Sequence, residues 1–133
     1  MAPELPAETE AELRREFLLG IDALRDGRAM PIGGLVLFRA TREHRFIIHC
    51  YSSCYYGENV TQKEAEERIA TAKEELSTLT RVFPELSDQM RGLDLAFYFC
   101  HDEDKASMLV AKEEHGQFLY LANVLTGHRS AKF

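Results

Sequence analysis

The sequence has no long apolar run. Its longest nearly apolar stretch, Leu93 to Cys100, is eight residues and contains Asp94. A bilayer-spanning helix needs about twenty residues, so no membrane segment is expected. Proline and glycine are sparse, four and eight residues, which excludes collagen-like and linker-like material. Cysteine is sparser still: Cys50, Cys54 and Cys100, with no CxxC spacing. The start, Met1 to Glu8, is acidic and shows neither a basic region nor an apolar one. An odd cysteine count without a secretion signal fits reduced thiols in a cytoplasm. Basic charge is not concentrated either. Sixteen Lys+Arg against twenty-two Asp+Glu give a net charge of −6. The nearest approach to a basic patch is Arg39, Arg42 and Arg45 around one turn, bracketing Glu43 and His44. Phosphate neutralisation needs clustered Lys and Arg, so no nucleic-acid partner is expected.

What is present suits one folded domain. The chain has 133 residues, 45% of them hydrophobic and 29% charged, enough for a full core. Residues 1–8 read as a disordered lead-in, 9–125 as a single α+β domain and 126–133 as a polar tail. Thr9-Glu10-Ala11-Glu12 has the form of a capping box. Leu13, Phe17, Ile21 and Leu24, with Leu18 beside them, follow at helical spacing. A first helix is expected over 9–26, stopped by Gly27. Thr61-Gln62-Lys63-Glu64 is a second capping box. Ala65, Ile69, Ala72, Leu76 and Leu79 then recur at four, three, four and three. This strongest periodicity predicts a helix over 62–82, ended by Phe83-Pro84. Ser87 to Arg91 suits one further turn, closed by Gly92.

The remaining segments read as strands. Pro31-Ile32-Gly33-Gly34 is a breaker cluster. Leu35 to Phe38 and Arg45 to Tyr51 make a hairpin around the polar turn Thr41 to His44. Leu93 to Cys100 alternates as a strand. Ser107 to Lys112 and Gln117 to Leu125 follow, joined by Glu113-Glu114-His115-Gly116. The last strand is apolar on both faces, which predicts a central position. Residues 52–60 stay open between a loop and a strand through Cys54–Tyr56. The expected order is α-ββ-α-βββ: a two-layer sandwich with helices on a five-stranded, mostly antiparallel sheet. Its other face keeps Ile47, Tyr98 and further apolar groups, which suggests a covering partner.

No residue pattern names a reaction. His49-Cys50 and Cys100-His101 offer metal-ligand types, but adjacent strand residues point to opposite faces. The same groups could form a thiol-dependent or metal-dependent enzyme centre if they converged. Asp102-Glu103-Asp104 reads as a solvated turn. Gly33-Gly34 precedes a strand, whereas a phosphate cradle needs a helix behind it. No catalytic residue, cofactor or metal is therefore assigned. Cys54 is the candidate reactive thiol, because it sits in the open segment.

Gly34-Leu35-Val36-Leu37-Phe38 with Phe46-Ile47-Ile48, the helix Ala65 to Leu79 and the three strands between Leu93 and Leu125 resemble the roadblock/LC7 domain. The resemblance is one of element order and covers about residues 9–125. It implies dimers paired through the middle helix and the strand after it, here 62–82 and 93–100, and a scaffold or GTPase-partner role without catalysis. Two departures stand out: the polar tail is too short for the third helix common in that family, and the segment 52–60 is long. With a strand at Cys54–Tyr56 the order becomes α-βββ-α-βββ, similar to small acidic secretion chaperones. A toxin-neutralising immunity protein also fits the composition. The expectation is a non-enzymatic protein-binding module, a homodimer with a further protein partner. Its interface candidates are Ile69, Leu76, Leu95, Phe97, Tyr98, Tyr55 and Tyr56.

Overall fold

The computed structural model describes residues 7–40, 44–51, 60–100 and 109–121. Among these residues, three helices and six strands occur in the order α1 (Ala7–Arg25), β1 (Met30–Ile32), β2 (Leu35–Ala40), β3 (Arg45–Tyr51), α2 (Gln62–Val82), α3 (Pro84–Met90), β4 (Asp94–Cys100), β5 (Leu109–Glu114) and β6 (Gln117–Tyr120). The fold is α+β, as expected. The strands form one open sheet in chain order, β1 to β6. Every neighbouring pair is antiparallel except β3 and β4, which run parallel from Arg45↔Asp94 to Tyr51↔Cys100.

Helix α2 has the predicted limits because its signals are strong. Thr61 Oγ1 accepts the Glu64 amide at 3.1 Å, and Glu64 Oε1 accepts the Thr61 amide at 3.1 Å. This is a complete capping box. Ala65, Ile69, Ala72, Leu76 and Leu79 are all buried. Phe83 caps the helix, and Pro84, lacking an amide to satisfy, opens α3 at once. Helix α1 starts two residues earlier than expected, so the capping pattern at Thr9 lies inside it. It buries Phe17, Ile21 and Leu24, while Leu18 and Leu19 face outward. Gly20 lets α1 approach β1 closely: a Cβ there would lie 2.8 Å from Met30 Cγ.

The five-stranded expectation and the order α-ββ-α-βββ are corrected. The observed order is α-βββ-αα-βββ. The extra strand is Met30–Ile32, paired with Leu35–Leu37. It is three residues long and contains Pro31, so its sequence reads as a breaker. Its place at the sheet edge explains the tolerance, because an edge strand can do without one ladder amide. Gly33 and Gly34 form the two-residue loop between β1 and β2. Their amides donate to Glu16 Oε1 at 3.2 Å and Glu75 Oε2 at 2.8 Å. Both long helices are thus tied to this hairpin tip. The last strand is also corrected: β6 is at the opposite edge, not central, and ends at Tyr120. Only Leu121 of the rest of the expected strand is described. The segment 52–59, with the question of a strand at Cys54–Tyr56, lies outside the described residues.

Register sets which side chains meet. Met30, Leu37, Ile48 and Phe97 form one row across the sheet, and Ile32, Leu35, Cys50 and Phe99 the next. All are buried against the stripes of α1 and α2 in a single core. Phe17 of α1 stacks on Phe83 at the α2–α3 junction, with ring centroids 4.5 Å apart and planes 2° from parallel. Arg14 lies 5.2 Å over the Phe83 ring. Truncating a buried Phe costs about 3–5 kcal/mol. F83A is therefore expected to lower urea stability by about 3 kcal/mol or more. A double-mutant cycle with F17A should return a coupling of about 1 kcal/mol for the stacked pair.

Candidate functional site

Consecutive residues on a strand point to opposite faces, and β5 uses this to organise charge. Glu113 points to the helix side of the sheet and ion-pairs with Lys73 of α2. Glu114 points to the other side, where it pairs with Arg45 and, at 3.2 Å, with Lys112. A charged residue at 113 puts no apolar side chain beside Phe97, so the core stops there. The result is a groove of about 460 Å³ between the second half of α2, the start of β4 and the β5–β6 turn. Leu76, Met90, Leu95 and Phe97 give it apolar walls. Lys73, Asp94, Glu113 and His115 also line it and make its rim polar. Leu95 is 36% exposed, high for a leucine on the core-facing side of a sheet. The turn that closes one end has φ of +53° at His115 and +78° at Gly116, the left-handed pair of a tight hairpin. His115 Nδ1 lies 4.0 Å from Asp94 Oδ2.

The predicted interface candidates separate. Leu76, Leu95 and Phe97 line the groove. Ile69 is buried in the chain's own core beneath α2. Tyr98 faces the opposite side, where His49 lies between Phe38 and Tyr98 at ring distances of 4.8 and 5.5 Å. Tyr55, Tyr56 and Cys54 lie outside the described residues, as does His101. Sequence reading missed Lys73, Glu113, Asp94, His115 and Met90 as groove residues. Of the expected turn Glu113 to Gly116, only His115 and Gly116 form the turn, while Glu113 and Glu114 extend β5; the approach of this hairpin end to α2 depends on sheet order.

The outer face is half-buried rather than open at Val36, Phe38, Ile47, His49 and Tyr98, and fully buried at Ala96. Burial lowers the pKa of His49 and so favours its neutral form. Burial alone would raise the Glu114 carboxyl, but hydrogen bonding and charge from Lys112 and Arg45 outweigh it and hold it below the ordinary value. Burial works against the Arg45 charge too, yet Glu114 and the Tyr98 hydroxyl outweigh it and hold the guanidinium above its usual range. Cys50 and Cys100 are buried strand residues. Burial pushes the Cys50 thiol up to about 11 and the Cys100 thiol up to about 12. Both stay protonated at neutral pH, the opposite of an activated nucleophile. Among the described residues no group of three or more His, Cys, Asp or Glu is placed to hold a metal ion, and no helix is long and apolar enough to cross a membrane.

Two outcomes follow from these environments. In native protein at pH 8, Cys50 and Cys100 are expected to resist iodoacetamide and to react only after unfolding in urea, as read by peptide mass spectrometry. For Glu114, a depressed folded pKa means stability that is present above the ordinary carboxylate range and lost as pH falls through the folded value. E114Q should therefore lower the melting temperature at pH 7 and flatten its fall between about pH 5 and 3.

Comparison with protein-family models, with characterised proteins and with solved structures finds no match to this chain.

Proposed function

We propose that the chain is a non-enzymatic protein-interaction module that seats a partner in the groove between α2 and the β5–β6 turn. The observation that carries this reading is Leu95. It lies on the core-facing side of β4, beside buried Phe97 and Leu76, yet keeps 36% of its surface exposed. Burying such a side chain on association is favourable by roughly 25 cal/mol per Å² of apolar surface. Interfaces concentrate binding energy in a few apolar anchors surrounded by polar groups, and the polar rim of Lys73, Glu113, Asp94 and His115 fits that plan. The raised pKa values of the two described thiols support a role without thiol catalysis.

A chaperone form of the same reading has one observation in its favour. The order α-βββ-αα-βββ is similar to the α-βββ-α-βββ order of small acidic secretion chaperones, with the added strand supplied by Met30–Ile32. The roadblock-like pairing through α2 has less room. The apolar stripe of α2 is already buried against the chain's own sheet.

The test is a photo-crosslinking residue at Ser77, on the groove wall, expressed in cells of the source organism. One or more discrete protein adducts are expected, and L95E should abolish them while leaving the circular dichroism spectrum unchanged. Adducts indifferent to L95E, or none at all, would count against the groove as a docking surface.

A further inference from the structure

We infer that the open edge of β6 pairs with the β6 edge of a second copy of this chain, antiparallel and about a two-fold axis at Leu119. The inference does not rest on the groove. It starts from where the backbone groups of β6 point. Leu121 N donates to Val110 O at 3.0 Å, and β5 and β6 run in register from Ala111↔Tyr120 to Glu114↔Gln117. Bonded and non-bonded residues alternate along an antiparallel pair. Gln117, Leu119 and Leu121 therefore bond inward to β5, while Phe118 and Tyr120 turn their amides and carbonyls outward. Among the described residues none donates to or accepts from these outward groups. A row of such groups is a template for one more strand. The opposite edge of the sheet is built differently. β1 is three residues long, and its outward position is held by Pro31, which has no amide to offer. β6 has none of the devices that blunt an edge: no proline, no charged side chain and no register shift. The uncharged stretch continues in the sequence from Gln117 to Leu125. A strand apolar on both faces suits an interior place, and β6 has one only when another strand lies beside it.

The strand that fits is β6 itself, because the edge is self-complementary. In a two-fold contact each residue meets its counterpart reciprocally. With Leu119 on the axis, Phe118 bonds to Tyr120 of the second copy, and Tyr120 to its Phe118. Both rings pack against the core on the helix side, so each bonded pair is also an aromatic pair. On the other side Leu119, 48% exposed in the single chain, meets its own copy at a non-bonded position, with Cα atoms about 4.5 Å apart. The net charge of −6 does not oppose this. The nearest charged side chains of the ladder, Lys112 and Glu114, stand on β5. Like charges of the two copies are then three strand spacings apart, roughly 14 Å, beyond the screening length of about 8 Å in physiological salt.

The experiment is light scattering of the whole chain over the micromolar range, for wild type and L119E, with air oxidation of L119C and Q117C in a C54S background. Leu119 is exposed and lies opposite Lys112, so L119E is expected to fold, checked by circular dichroism. Wild type should read twice the chain mass. L119E should weaken the dimer roughly hundredfold or more, because two carboxylates then meet on the axis. L119C should oxidise to a dimer whose disulfide maps to position 119 by peptide mass spectrometry, since the Cα spacing there suits that bond. Q117C should stay unlinked, because the two copies of position 117 are offset by four residues, about 14 Å. A monomer throughout the range, or an assembly larger than a dimer, overturns the inference. So does a dimer indifferent to L119E, a dimer dissolved by L95E, or Q117C linking as readily as L119C.

Discussion

The parallel pairing of β3 with β4 is the constraint on which the rest of this structure depends. Parallel neighbours cannot be joined by a tight turn; they need a crossover that carries the chain back to the starting edge. Here the crossover includes α2 and α3. It must lie on a face of the sheet, and it lies where its apolar stripe meets Ile48, Phe97 and Phe99. On either side of this pair the chain needs only hairpins. The sheet is therefore two three-stranded meanders joined at one parallel seam, each entered from a helix.

That seam also creates the groove. Because α2 is held over the centre of the sheet, its second half overhangs the start of β4 and approaches the β5–β6 turn. Glu113 meets Lys73 across the gap. A partly exposed ion pair contributes little stability by itself, but here it replaces an apolar contact that would have closed the core. Phe97 and Leu76 beside it stay buried, but the cover does not extend to Leu95. Leu95 stands beyond the last residue pair of β4 and β5, Ala96↔Glu114, and takes the exposure.

The other sheet face shows a different solution. Its aromatic row, Phe38, His49 and Tyr98, is half-buried, and Arg45, Glu114 and Lys112 form a charge network beside it. Tyr98 belongs to this face, away from Leu95 and Phe97. One strand thus serves two surfaces of opposite character, which is the direct result of its two-residue repeat.

Much of the architecture was legible in local pattern. The limits of α2, the hairpin of β2 and β3, the strand at 94–100 and the turn at 115–116 follow from capping, periodicity and turn chemistry. These signals act over a few residues, so local chemistry was enough to set them. Strand β1 was not legible, because three residues containing Pro31 carry no strand signal until an edge position makes the missing amide harmless. The central place expected for β6 failed for a related reason. Apolar character on both faces reports burial, not order, and order is decided by where the crossover returns. The groove was legible only in part: Leu76, Leu95 and Phe97 stood out as apolar, while Lys73, Asp94, Glu113 and His115 read as ordinary surface charge. Their convergence joins α2, β4 and β5, elements far apart in sequence. It arises on folding, because the parallel seam sets which helix lies over which strand.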